Sequence, residues 1–252
     1  MPTWLFVVHG SHPSAAVEKA LDLKGADHRV FEWAPPTHAL GMRALFGGRT
    51  VPGIRFDDGA KVQGSVPIME ELERRYPDPP LYPSDPDQRA AVVAAEHWGE
   101  ATFQPVARRI IWPAFARDPV ALHSFQQGSR LPALPLPVIK VLAPGVTAVE
   151  RRLNDATDDR ERADLEALPG QLDRIDQWIA HGVLGGALPN AADLQIGATV
   201  NLLLAIEDLQ PLIEGRPTAA LAHRNYEPIL GRVPAGTVPM PPALDARPLP
   251  TR

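Results

Sequence analysis

The stretch that ends at Val51-Pro52 places the strongest limit on how this chain can fold. Two short β-like runs follow it, one at 53–56 and one ending at Ser65, and a helical stretch at 66–76 closes the unit. Because proline has no N–H group to donate, it is confined to a strand edge or a turn, where cis X-Pro bonds also occur. We therefore predict a cis bond before Pro52, followed by a hairpin and a helix.

The start of the chain predicts a strand, a helix and a second strand. Residues 4–8 form a continuous apolar run, which is typical of a strand buried on both faces. Pro13 suits the first turn of a helix, because its missing N–H is not needed there. Apolar residues then recur at helical spacing up to Gly25, and a second strand is predicted at 29–33.

The second half of the chain carries a helix-start signal. Asn190 and Asp193 are spaced as a variant of the capping box, in which each side chain bonds the other residue's backbone. The apolar run 194–204 follows, and a glycine-rich segment at 183–186 precedes the box. We predict a buried helix that begins at this box.

Five prolines between residues 77 and 86 predict a stiff linker, and therefore a domain boundary. Beyond it, residues 89–117 predict a long helix with a kink at Pro105 or Pro113. The proline-rich end of the chain predicts an extended strap or a partly disordered tail. The predicted division is a first domain at 1–78, a linker at 79–88, an all-helical domain at 89–225 and a tail at 226–252.

Taken in order, these signals resemble the glutathione S-transferase superfamily over roughly residues 4 to 225. The resemblance implies an α+β fold, with an N-terminal thioredoxin-like domain (βαβ–ββα) followed by an all-α-helical C-terminal domain. It further implies a homodimer that uses glutathione on a small electrophile, and a role in detoxification.

The start of the first helix resembles the serine-type pattern of the theta and zeta classes, with Ser11 at the catalytic position. There the hydroxyl donates a hydrogen bond to the sulfur of glutathione and lowers the pKa of the thiol. The alternative is that Ser11 only caps the helix. The resemblance also implies a thiol-binding set: His38, Arg49, Thr50, Val51, Pro52, Gln63, Gly64 and Ser65.

Gly64 departs from the family pattern, in which an acidic or amide residue usually precedes the serine. Glycine offers only its backbone, so the γ-glutamyl amine loses a partner unless Gln63 replaces it. Another low-molecular-weight thiol could then be the substrate. The second hypothesis is a non-catalytic protein of the same fold that binds a ligand or a partner.

Composition excludes several classes. The chain has no cysteine, which excludes disulfides, cysteine-based zinc sites and the cysteine-type relatives. A net charge of -5 argues against nucleic acid. We find no run of transmembrane length and no signal peptide, so we expect a cytoplasmic protein that does not bind membranes. The scattered histidines predict no metal site.

The positions of particular residues in the sequence exclude two classes of enzyme and indicate where the electrophile pocket lies. None of the three tyrosines lies near the first strand, which excludes a tyrosine-type transferase. An α/β-hydrolase would need a G-x-S-x-G elbow, and the sequence has none, so His12 is predicted to be a solvent-facing loop residue. The electrophile pocket should face the first helix of the second domain, which offers Trp98, Phe103, Arg108, Arg109 and Trp112, with both tryptophans favoured as core.

Overall fold

The structure is a computed structural model, and residues 1–245 are described. The first domain is a four-stranded mixed sheet in the order β2-β1-β3-β4, with β1 and β2 parallel and the other pairs antiparallel. Its strands are β1 Trp4–Val8, β2 Arg29–Trp33, β3 Gly53–Arg55 and β4 Lys61–Gln63, and its helices are α1 His12–Leu23, α2 His38–Phe46 and α3 Ser65–Arg75. The predicted thioredoxin-like arrangement is confirmed.

The continuous apolar run at the start of the chain forms β1, which lies inside the sheet. Leu5 and Val7 belong to the core, and Phe6 and Val8 are buried as well. Because both faces of β1 are covered, the strand does not need an alternation of polar and apolar residues.

The Val51-Pro52 bond is cis, as predicted. The chain then enters β3, and Gly53 pairs with Gln63 of β4. The backbone N–H of Gly64 donates to the carbonyl oxygen of Pro52 at 3.0 Å, which ties the start of α3 to the proline.

The rest of the described chain is helical. Its helices are α4 Pro86–Trp98, α5 Gln104–Arg117, α6 Pro119–Ser124, α7 Leu136–Leu153, α8 Asp158–Ala180, α9 Ala191–Leu204, α10 Gln210–Ile213, α11 Pro217–Asn225 and α12 Pro242–Asp245. None of these, nor any other helix within residues 1–245, is long and apolar enough to cross a membrane.

The long helix predicted at 89–117 is interrupted. A π-helical turn, Gly99–Phe103, separates α4 from α5, and Pro105 stands in the first turn of α5. Because proline cannot donate to the preceding turn, the regular α-helical bonding lapses just before it. α4 begins at Pro86, earlier than predicted, because the Asp85 side chain accepts from Gln88 N at 2.9 Å.

The predicted capping box is formed. Asp193 N donates to Asn190 Oδ1 at 3.0 Å, and Asn190 N donates to Asp193 Oδ2 at 2.9 Å. Gly185 N adds a further bond to Asp193 at 2.8 Å. Every residue of α9 is buried, and α9 packs against α1, so the box fixes the helix that supports the start of α1.

The start of the tail is extended and joined to the helical domain. Val233 N donates to Ala205 O at 2.8 Å, and Glu207 N donates to Val233 O at 3.0 Å. Residues 246–252, the end of the predicted tail, lie outside the described residues. The proposed domain boundaries stay predictions.

Candidate functional site

A cavity of about 850 Å³ opens between the first domain and the helices that follow it. The first domain contributes the starts of α1 and α2, the end of β2, and the loop before the cis proline. The second half contributes one face of α5, the residues from Leu122 to Leu134, and α7. Of the predicted site residues, this cavity is lined by Ser11, His38, Thr50 and Val51.

Ser11 stands immediately before α1, and its side chain makes no capping bond. Its backbone N–H donates to Val8 O at 3.1 Å, which fixes the residue at the end of β1. Ser14 Oγ donates to Ser11 Oγ at 2.9 Å. The Ser11 hydroxyl therefore keeps its own hydrogen for a ligand in the cavity, and the capping alternative does not fit the geometry.

The prediction that His12 faces solvent is wrong. His12 is the first residue of α1, is only 4% exposed, and packs against the start of α5. Burial, followed by the charge of Arg108, holds the pKa of His12 well below its usual value. The imidazole is therefore neutral, and its Nε2 has no hydrogen-bond partner within residues 1–245.

The side-chain amide of Gln63 is hydrogen-bonded to the loop before the cis proline. Gly48 N donates to Gln63 Oε1 at 3.1 Å, and Gln63 Nε2 donates to Thr50 O at 2.7 Å. A Cβ on Gly48 would overlap Gln63 Oε1, so a larger residue there would push this amide aside. Both ends of the Gln63 amide are used, and it cannot replace the side chain missing at Gly64 without breaking these bonds.

The serine at the start of α3 is buried and covered by Gln104. Ser65 is only 3% exposed, and Gln104 Nε2 lies 3.5 Å from its Oγ. Gly64 has φ +96, a conformation that favours glycine. Arg49 is exposed on the loop. Pro52, Gln63, Gly64, Ser65 and Arg49 do not line the cavity as the described residues form it.

His38 faces the second half of the molecule. Its Nδ1 lies 3.7 Å from Glu150 Oε1 on α7. Burial raises the pKa of Glu150 to about 7 and lowers the pKa of His38. The sequence analysis missed Glu150. Helical spacing could have found it, since Ile139, Ala143 and Thr147 precede it on the same buried face.

α5 supplies the apolar wall and one cation. Arg108, Trp112 and Phe115 all line the cavity. Both tryptophans, which the sequence favours as core, are partly buried and pack against the core, and Trp112 also lines the cavity. The ring of Trp98 stacks on Phe103 with centroids 5.5 Å apart.

Two adjacent arginines on α5 differ in their pairing. Arg109 binds both carboxylate oxygens of Asp164, at 2.5 and 2.8 Å. Arg108 has no ion pair or hydrogen bond within residues 1–245, and burial, followed by the charge of Arg109, lowers its pKa to about 10. The described residues also contain no group of three or more histidine or acidic side chains that could hold a metal ion.

The sheet, the cis proline and the helical second half can now be compared with known proteins. Residues 5–80 match the family model described as the glutathione S-transferase N-terminal domain. Over these residues the first domain is similar to that family domain, and the chain has the fold seen in solved glutathione S-transferases. No curated protein matches the sequence.

Solved glutathione S-transferases agree over nearly the whole chain. One from Sinorhizobium meliloti is 19% identical, covers 95% of this chain and 96% of its own, and has a TM-score of 0.61. The β-etherase LigF from Sphingobium sp. strain SYK-6 is 18% identical, with 91% and 97% covered and a TM-score of 0.62. A transferase from Methylobacterium radiotolerans, in complex with glutathione sulfonate, is 18% identical, with 93% and 97% covered and a TM-score of 0.56.

Proposed function

We propose that this chain is a glutathione S-transferase-like enzyme that joins a low-molecular-weight thiol to a small electrophile, with Ser11 as the catalytic residue. The observation that best supports the proposal is the Ser11 hydroxyl, which makes no capping bond, is held by Ser14, and faces the cavity. The cavity is large enough for a second substrate beside the thiol.

The chemistry follows from this geometry. Ser11 donates a hydrogen bond to the sulfur, and the positive end of α1 also favours negative charge there. Both effects lower the thiol pKa from its usual value of about 8.5, so the proton passes to solvent and a thiolate remains. The thiolate attacks the electrophilic carbon, a C–S bond forms, and the leaving group departs with the electrons of the bond that breaks.

Glutathione is the thiol we favour, since the Methylobacterium radiotolerans structure of this fold holds glutathione sulfonate. Val51, next to the cis Pro52, would offer its backbone to the cysteinyl part, and Thr50 lies beside it on the cavity wall. Because Gln104 covers Ser65, the γ-glutamyl end would bind without that hydroxyl. Another thiol without that end is therefore the alternative substrate.

A non-catalytic ligand-binding or interaction protein is the second candidate. The buried Ser65 and the bare backbone at Gly64 favour it, because they remove two contacts that the resemblance assigns to glutathione. Homodimer formation, a cytoplasmic location and a role in detoxification belong to the enzyme proposal by analogy with the fold. The proposed thiol-binding domain is 1–78, and the helical domain is 89–225.

The deciding experiment combines calorimetry with turnover. Glutathione, cysteine and a γ-glutamylcysteine thiol are titrated into the wild-type protein, and each is then tested with a generic aromatic electrophile. Saturable binding and thiol-dependent turnover support the enzyme proposal. If no thiol supports turnover, the non-catalytic candidate replaces it. Sedimentation at micromolar concentration tests the homodimer, and a monomer would contradict it.

A further inference from the structure

The wall of the cavity that α5 forms is apolar except for one side chain. Ile111, Trp112 and Phe115 present their apolar surface, and Arg108 stands in the same row one turn closer to the start of the helix. The charge of Arg108 also contributes to the low pKa of His12, the residue next to Ser11. Arg108, Ser11 and His12 all line this cavity.

No carboxylate within residues 1–245 pairs with Arg108. Arg109 is bound by Asp164 through two hydrogen bonds. Glu100 is close enough to favour the charged form of Arg108, but no ion pair joins the two within residues 1–245. Glu32, also on the cavity wall, is occupied by the Ser129 hydroxyl and by Arg130 N at 2.8 Å.

Arg108 is half-buried on the cavity wall, and its guanidinium has no hydrogen-bond partner within residues 1–245, so an anion in the cavity would gain a charge-assisted hydrogen bond. Arginine suits this role because its planar donors match the two oxygens of a carboxylate, sulfonate or phosphate. The neighbouring His12 is buried and neutral, so it adds no competing positive charge.

We infer that the second substrate carries an anionic group that pairs with Arg108, while its apolar body packs against Ile111, Trp112 and Phe115. This inference rests on the proposed function in calling the ligand a second substrate. The inference itself requires only that the anion binds, and that binding does not depend on turnover. It assigns the substrate class of the cavity: an aromatic or aliphatic electrophile with a carboxylate, sulfonate or phosphate.

The test measures equilibrium binding by calorimetry without any thiol. The probes are a chloronitrobenzoate, the corresponding chloronitrobenzenesulfonate, and the matching uncharged chloronitrobenzamide. We expect wild type to bind the two anions about 10- to 100-fold more tightly than the amide, the range of a hydrogen-bonded charge pair. Arg108→Gln should abolish that preference, and Arg108→Lys should restore part of it.

Arg152→Gln is the matched control, because it removes the same charge from an exposed position on α7. It should leave the preference for the anions intact. Equal binding of anion and amide by wild type, no binding of either, or a preference that survives in Arg108→Gln would each overturn the inference.

Kinetics separate this inference from the proposed function. If the anions bind through Arg108 but no thiol reacts with them, the inference holds and the enzyme proposal fails. If thiol-dependent turnover occurs and Arg108→Gln slows the benzoate and the benzamide equally, Arg108 acts on the thiol, and the inference is wrong.

Discussion

The first domain has two helices with a serine at or just before their first residue, and the two serines differ in exposure and in access to the cavity. Ser11 stands before α1, makes no capping bond and lines the cavity. Ser65 opens α3 and is only 3% exposed. Both fit the same local pattern of a strand, a short turn and a serine at a helix start. The local pattern therefore does not decide which serine can meet a ligand.

The difference comes from the helices that cover the first domain. Gln104, at the start of α5, places its amide 3.5 Å from Ser65 Oγ and donates to Gln195 Oε1 of α9 at 2.6 Å. Among the described residues, Ser14 is the one side-chain partner of Ser11, which lines the cavity. The start of α3 is therefore covered by a polar contact from α5, whereas the start of α1 faces the cavity.

The largest expected effect is a loss of turnover when Ser11, at the start of α1, is replaced. Ser11→Ala removes the donor aimed at the sulfur, so turnover at neutral pH should fall by about one to three orders of magnitude, or about 1.4 to 4 kcal/mol of transition-state stabilisation. The rate should recover as pH rises, because the thiol then ionises without help. The pH–rate profile measures this.

Stability provides the internal control for Ser11→Ala. Since Ser11 makes no capping bond, its melting curve should be close to that of wild type. Ser14→Ala keeps the donor to sulfur and should lower turnover much less. Unchanged turnover per folded molecule in Ser11→Ala would remove Ser11 from the mechanism and make the two serines alike.

An intermediate effect, a loss of stability, is expected when Gln104, which covers Ser65 at the start of α3, is replaced. Gln104→Ala leaves the buried Gln195 amide without this partner and should lower the free energy of unfolding by about 1–3 kcal/mol. Urea unfolding measures it, with Gln88→Ala, an exposed glutamine on α4, as the control. A double-mutant cycle with Gln195→Ala should show coupling, and additive effects would contradict the contact.

The smallest effect is expected at the closed start itself. Ser65→Ala should leave thiol affinity and turnover unchanged, because Gln104 covers the hydroxyl. Calorimetry with glutathione measures it, and Thr50→Ser serves as a conservative control on the cavity wall. A clear loss of glutathione affinity would show that α3 opens for the ligand, and would return Ser65 to the role that the resemblance assigns to it.

Features set by neighbouring residues were predictable. The cis bond before Pro52, the buried strand β1 and the capping box of Asn190 and Asp193 each follow from backbone chemistry within a few residues. The helix predicted at 89–117 is present, and its irregularity, the π-helical turn Gly99–Phe103, comes directly before Pro105, one of the two predicted kink positions.

Features set by distant residues were not predictable. The burial of His12 depends on the start of α5, and the pairing of His38 depends on Glu150, far along the chain. Arg108 and Arg109 are adjacent and alike in sequence, yet within residues 1–245 Arg109 alone is bound by an acid. No local pattern distinguishes them, because the partner lies on another helix.

By itself, the sequence determined the order of strands and helices, the cis proline and the helix start at Asn190, since each depends on dihedral preferences and hydrogen bonds between near neighbours. The tertiary structure alone decided which serine is open, which arginine is unpaired and where the cavity lies. These depend on contacts such as Gln104 with Gln195, 91 positions apart, which form only when the helices pack.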